Sequence, residues 1–475
     1  MNKKKKIIII AVAAVLLIAA AATAVYFLKS SDKEDVPTLS ETVESRVAAY
    51  RTDLRDSMAS MTDQKSVAEY LYTWAQNKGI DSKIDNNNNV IYTLPATEGF
   101  EEKSPLILVS EFDYTCMDTY ENSIVSAFTS AKNDEPHGEY SIIFISREKG
   151  SLDAASALSD KYFTNGCQVI YLGSSTTSRT AAITGGSEEY RLEKDLSYVQ
   201  PEYDSAYTIS ISGLPAQSFS SDSVHDPNAI KIIGDLLANF KSTSMLFELS
   251  SFSGGSDGDM IPSGASVTIV VNDSNVSKFE SKMEREIEDF MEDYQEDFPD
   301  VSYTCEPADM PQRVIASQDT ESIVSLLYTS PCGIEYKDDN GDIASLVNMG
   351  RVTTEGGKFI LEASSYSYDG ELLAELAETY QTTAGLSGIS YELVSHYDPF
   401  TIDESNQPFE VSFREAYDTY HHTELESINI PEVTPCAMIY EKNPDMEILA
   451  VGVTEKNADN FAGAIITYLQ TIEAE

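Results

Sequence analysis

The sequence predicts an α/β protein in which a unit built on a mixed, mostly parallel sheet is interrupted by an inserted α+β unit, all behind an N-terminal transmembrane helix. Three continuous apolar runs, PLILVSEFD (105–113), YSIIFIS (140–146) and CQVIYLG (167–173), read as strands buried in mid-sheet. The helical stretch SLDAASALSDKYF between the last two completes a βαβ pattern. From Tyr207 the texture changes. Strands such as YTISISGL and ASVTIVVN alternate with the helices NAIKIIGDLLANF and KFESKMEREIEDFMEDYQEDF, the signature of a separate α+β unit.

In order along the chain, residues 1–6 form a basic tail and the unbroken apolar run 7–28 follows. Its 22 residues would span about 33 Å as a helix, one bilayer core. The four lysines ahead of it put the N-terminus in the cytoplasm and the bulk of the chain outside a cell membrane crossed once. Ala22-Thr23-Ala24 fits the alternative of a cleaved signal peptide and a secreted product. Residues 29–39 make a polar linker. The first unit is expected over 40–205 plus 393–475, and the inserted one over 206–392. Within the first, SVAEYLYTWAQNKG (66–79) places Val67, Tyr70, Leu71 and Trp74 on one helix face, with Gly79 as the stop. A hairpin turning at NNNN (86–89) follows, and near the end come a helix at PFEVSFREAYDTYHH and a last strand, MEILAVGV.

The chain carries 78 acidic against 32 basic residues, a formal net charge of −46. Without the four N-terminal lysines the exported part lies near −50, which excludes nucleic acid and anionic lipid surfaces as partners. Five cysteines (Cys116, Cys167, Cys305, Cys332, Cys436), widely spaced and without a CxxC pair, describe neither a disulfide framework nor a zinc ribbon. They read as scattered core residues, with one bridge open as an alternative.

Several segments in fixed order, EYLYTWAQNKG, NNVIYTLPATEGFEEKSPLILVSEFD, ISGL, NAIKI, FSGGSDGDMIP, SLVNMG and PCAMIYEKNPDMEILAVG, resemble the bacterial aminoacyl-histidine dipeptidases, zinc metallopeptidases related to carnosinases. The resemblance runs from about Ser66 to the C-terminus. It implies a zinc-peptidase-like α/β domain interrupted by a lid or dimerisation domain, hence a possible homodimer. It also implies a site built from a His-x-Asp, a bridging Asp, a Glu-Glu pair, a second Asp and a late His.

Matched position by position, most of that site is overwritten. Glu111-Phe112-Asp113 stands where His-x-Asp belongs, so Asp113 is kept and the ligand imidazole becomes a carboxylate. Glu121 falls on the bridging Asp, and Arg147-Glu148 on the Glu-Glu pair. Arg147 then occupies the general-base position, where a permanently protonated guanidinium has no lone pair to offer. Gly173 falls on the second ligand Asp, and no histidine follows His422. The substrate contacts are changed as well, to Ser218, Asp259, Tyr366 and Pro435. What persists is structural: Gly213, Gly254, Gly255, Ile261, Pro262, Asn348, Gly350 and Gly452 read as turn and packing positions.

None of the five histidines reads as a metal ligand, and the serine clusters have no nucleophile-elbow pattern. The resulting expectation is a membrane-anchored pseudopeptidase that has lost zinc and catalysis, needs no cofactor and binds a peptide or protein ligand. The alternative is an active metallo-dipeptidase in which Glu111, Glu121 and Glu148 converge on a divalent cation; oxygen ligands suit calcium, magnesium or manganese better than zinc. Arg147 decides between them. If its guanidinium fills the vacant metal position, the carboxylates are already neutralised.

Overall fold

Thr38 starts the first helix, Leu39–Met58, with a capping box: its Oγ1 accepts from the Glu41 backbone N at 3.3 Å while Glu41 Oε2 accepts from the Thr38 N at 2.8 Å. The structure, a computed structural model, describes residues 38–472 apart from 165, 182 and 402–406. The expected tail, span and nearly all of the linker, residues 1–37, lie outside the described residues. Among those described, no helix is long and apolar enough to cross a membrane.

A second helix, Gln64–Asn77, buries Val67, Leu71 and Trp74 with Tyr70 half-buried beside them, the face its spacing predicts. The expected hairpin follows as β1 (Asp81–Ile84) and β2 (Val90–Leu94), antiparallel with Asp81 opposite Thr93. The three apolar runs become β3 (Leu106–Phe112), β4 (Tyr140–Ser146) and β5 (Gln168–Ser174). With β6 (Arg179–Ala181) and the strands Glu426–Ser427 and Glu447–Val453 they form an eight-stranded sheet among the described residues. Its order is β1-β2-β4-β3-β5, then Glu447–Val453, β6 and Glu426–Ser427. The centre is parallel, β4 on β3 on β5 on Glu447–Val453, and the β1-β2-β4 edge is antiparallel.

The unbroken apolarity of β3 follows from cover on both faces. Leu106 and Leu108 pack into a core with Trp74, Phe128 and the C-terminal helix Ala458–Thr471, whereas Ile107 and Val109 pack with Ile143, Val169 and Ile439 on the other side. Trp74 and Phe128 stack with ring centroids 3.9 Å apart.

The segment between β4 and β5 differs from expectation. Among its described residues only Asp153–Ser156 is α-helical, with 3₁₀ turns at Glu148–Gly150 and Asp160–Tyr162. No side chain caps the start at Leu152, and Ser156 and Ser159 interrupt an otherwise apolar spacing with groups that compete for backbone bonds.

The sheets also divide the chain at other points than the expected 206 and 392. The second sheet, eleven-stranded among the described residues, begins at β7 (Ile183–Asp195) and includes Ser390–Tyr397 and Phe400–Thr401. β7 pairs along most of its length with Lys358–Ser367 on one side and Ser390–Tyr397 on the other. Gly185 and Gly186 make this crowding possible: a Cβ would lie 1.5 Å from the Pro431 carbonyl oxygen at the first and 2.2 Å from that of Tyr397 at the second. Helices Ala229–Ser242, Ser317–Thr329 and Gly370–Leu386 contribute to this sheet's core.

The motif FSGGSDGDMIP closes the strand Phe247–Gly255 and the loop after it. Gly255 takes φ 68°, and a Cβ there would meet the Gly350 carbonyl oxygen at 1.8 Å. Asn348, fully buried, donates from Nδ2 to the Gly258 and Met260 carbonyls at 3.0 and 2.9 Å. These retained residues hold a loop in place, as the sequence predicts.

Candidate functional site

The carboxyl ends of β3, β4, β5 and Glu447–Val453 lie side by side, the place where open α/β sheets put their chemistry. Glu111 stands at the end of β3, Arg147 just past β4, Tyr171 and Gly173 near the end of β5, and Gly452 near the end of its strand. The loop bearing Asp259 and the strand bearing Tyr366 reach over from the larger sheet. A cavity of about 110 Å³ lies between them.

Arg147 holds the middle of this edge. Its Nη1 donates to Glu111 Oε1 at 3.0 Å and Oε2 at 3.2 Å, and to the Val433 carbonyl at 3.3 Å. Tyr171 donates its hydroxyl to Glu111 Oε2 at 2.5 Å. Glu111 leaves 1% of its side chain exposed and Arg147 14%, so the pair is nearly dry. Burial opposes the Arg147 charge, but the Glu111 carboxylate, Tyr120, Tyr171 and Asp259 outweigh it, and the guanidinium is held well above its ordinary value. Burial and then Glu111 push the Tyr171 phenol well up, so it stays a donor.

The other expected carboxylates do not join Glu111. Glu121, on the helix Met117–Ala131, faces the first helix instead. Arg55 donates to it from Nε at 2.6 Å and Nη2 at 2.7 Å, and Arg51 Nε lies 2.9 Å away as an ion contact without hydrogen-bond alignment. Glu148 is exposed. Asp113 is buried, with Oδ1 accepting from the Thr115 backbone and hydroxyl at 2.8 and 2.7 Å. Convergence of Glu111, Glu121 and Glu148 on one cation is therefore not what this arrangement offers. Glu111 and Glu121 each already have a guanidinium.

A zinc pair, which the resemblance implies, does not fit the donors present. Glu111 is saturated by Arg147 and Tyr171, Gly173 brings no ligand atom, and Glu121 is turned away with its two arginines. Among the described residues no group of three or more His, Cys, Asp or Glu side chains is placed to hold a metal. The histidines serve elsewhere: His137 Nδ1 lies 2.7 Å from the Gly138 carbonyl oxygen, His396 bridges Glu188 and Asp398, and His225, His421 and His422 are exposed. All five cysteines are free.

The four changed substrate positions have separate fates. Ser218 bridges to Met260 and touches the Cys116 sulfur at 3.6 Å. Pro435 precedes the short helix Cys436–Tyr440. Tyr366 and Asp259 both line the cavity. Asp259 is 8% exposed, and its Oδ1 has no hydrogen-bond partner. Burial first, then Asp257, push its carboxyl up to about 7 against the pull of Arg147.

The sequence singles out Arg147, which pairs with Glu111, but gives no sign of Arg51, Arg55, Tyr171 and Arg179. An arginine in an amphipathic helix has no signal that separates a surface residue from a clamp. Arg179, in β6, lines the cavity and makes no ion pair or side-chain hydrogen bond among the described residues.

Comparison with known proteins agrees with this architecture. No family model matches the chain. Over 434 residues it is 19% identical to a cytosol non-specific dipeptidase of Escherichia coli (strain K12), covering 82% of this chain and 87% of the relative. The fold is that of the aminoacylhistidine dipeptidase of Vibrio alginolyticus, with a TM-score of 0.60 at 20% identity over 86% of this chain and 93% of the other. Human carnosine dipeptidase 1 superposes with a TM-score of 0.50 at 8% identity, over 91% and 98% of the two chains. In fold, and over most of its length, the chain is similar to these dipeptidases.

Proposed function

We propose that this protein keeps the dipeptidase fold without peptide hydrolysis and acts as a binding protein. The observation that carries the reading is the Arg147–Glu111 pair. In the register of the family's motif, a guanidinium takes the base position and bonds the carboxylate that replaces the first ligand histidine. Hydrolysis by this family's chemistry needs a group that accepts a proton from a metal-bound water, and arginine does not accept one.

The test is direct. The purified chain, loaded separately with zinc, manganese and cobalt, is offered a panel of dipeptides, and its metal content is measured. No turnover and no stoichiometric metal are expected. Chelator-sensitive turnover would overturn the reading in favour of an active metallo-dipeptidase.

The apolar run 7–28 supports attachment to a membrane, with the folded part outside the cytoplasm. Carbonate extraction of membranes from expressing cells checks this, and release of the full-length chain into the wash would sink it. The edge strand Ser390–Tyr397, on which Leu393 and Val394 are 44% and 56% exposed, supports pairing with a second copy. Light scattering reads the mass.

A further inference from the structure

The cavity between the sheets holds an acid and a base that lack side-chain partners among the described residues. Asp259 Oδ1 is buried without a hydrogen bond. Arg179 lines the same cavity and has no ion pair among the described residues, in a chain where acids outnumber bases 78 to 32. The two make no ion pair with each other. Gly452, its cross-strand partner, leaves room for the Arg179 side chain: a Cβ at 452 would lie 3.1 Å from Arg179 Cγ.

The remaining charges around the cavity are occupied. Glu111 is held by Arg147 and Tyr171. Asp222 accepts from the Thr176 backbone N at 2.8 Å and from the Thr176 hydroxyl, and Glu432 accepts from the Ser221 backbone. Arg179 and Asp259 are the charged lining residues whose side chains make neither a hydrogen bond nor an ion pair among the described residues.

We infer that this cavity binds a small free amino acid as its zwitterion, with the carboxylate on the Arg179 guanidinium and the ammonium on Asp259. The inference rests on the non-catalytic reading, because it makes the amino acid a ligand and not a product. A guanidinium fork matches a carboxylate, and an ammonium supplies the donors that Asp259 lacks. A simple anion would meet the field of a chain at −46, and a simple cation would meet Arg147 and Arg179. A zwitterion carries no net charge and satisfies both groups at once.

Size selects further. At about 110 Å³ the space is well below the roughly 300 Å³ at which drug-sized ligand pockets begin, so an amino acid fits better than a dipeptide. Phe219 and Tyr366, with ring centroids 6.1 Å apart, supply an apolar wall for its carbon atoms.

Titration calorimetry of the purified full-length chain with glycine, alanine, β-alanine and 4-aminobutyrate, against acetate and methylammonium, tests this. One-to-one binding of at least one amino acid is expected, with neither half-ligand binding comparably. Arg179→Gln and Asp259→Asn should each weaken it by about tenfold or more, the usual scale for a lost bond to a charged group, and Arg179→Lys by less. Thermal melts check that the variants fold. No binding at millimolar amino acid, equal binding of acetate or methylammonium, or undiminished binding by both Arg179→Gln and Asp259→Asn overturns the inference. The same samples are assayed by NMR for hydrolysis of glycylglycine with zinc and with manganese. Turnover sinks the non-catalytic reading whatever the calorimeter reads, while no turnover and no binding sink this inference alone.

Discussion

Asp259 is a carboxyl that the fold ionises with difficulty. Burial is the main cause, Asp257, Glu189 and Asp113 add to it, and Arg147 relieves only part. Its folded value of about 7 lies above the roughly 3.9 of an unfolded Asp, so the folded state holds an extra proton between them. Stability therefore falls as pH rises through that window and levels off above it. Asp259→Asn removes this dependence. In urea unfolding from pH 4 to 8, the variant should gain on the parent as pH rises, by up to about 4 kcal/mol for a shift of this size. A constant difference across the range would mean that Asp259 ionises freely. The identity of such residues was legible in the sequence, because an Asp, an Arg or a Gly at a motif position is read directly. Their surroundings were not. Glu121 and Glu111 look equivalent as retained acids, yet one faces the helix Leu39–Met58 and the other the sheet edge, and only the packed fold separates them.

At the scale of elements, the helix Leu39–Met58 does more than follow the linker. It buries Val43, Val47 and Leu54, and it brings Arg51 and Arg55 to Glu121, whose side chain is 4% exposed. Breaking a buried pair by removing one partner leaves a charge without compensation, at about 3–5 kcal/mol. Arg51 and Arg55 share one carboxylate, so either single methionine variant should cost less than that, and the double variant should approach it. Adding Glu121→Gln to the double variant should restore much of the loss. Chemical denaturation of the series reads this, and strictly additive losses with no rescue would show that the arginines act independently of Glu121.

Elements such as β3, β4 and β5 were legible because cover on both faces leaves an unbroken apolar run. β7 was not, since ITGGSEEYRLEKD looks polar in isolation. Several of its charges are met across the sheet, where Arg191 pairs with Glu362 at 2.8 Å and Glu193 with Lys358. Cross-strand partners far apart in sequence leave no local pattern to read.

For the whole molecule, charge outweighs any single pair. A net charge of −46 over 475 residues repels itself in the folded state more than in the expanded unfolded chain. Screening acts on this long-range repulsion: the Debye length shrinks from about 30 Å at 0.01 M salt to about 8 Å at 0.15 M. The arginine–glutamate contacts that would be weakened by the same salt are partly or wholly buried around Glu111 and Glu121, and buried pairs are screened much less. Relief of repulsion should therefore win, and the melting temperature should rise with sodium chloride across that range, most steeply at the dilute end. A sulfate series at matched ionic strength separates screening from salting-out, because screening saturates while the preferential exclusion of sulfate keeps adding stability. A melting temperature that falls with sodium chloride would mean that partly exposed ion pairs such as Lys358–Glu193 and Arg191–Glu362 dominate. The fold would then depend on its surface network more than on the neutralised sheet edge.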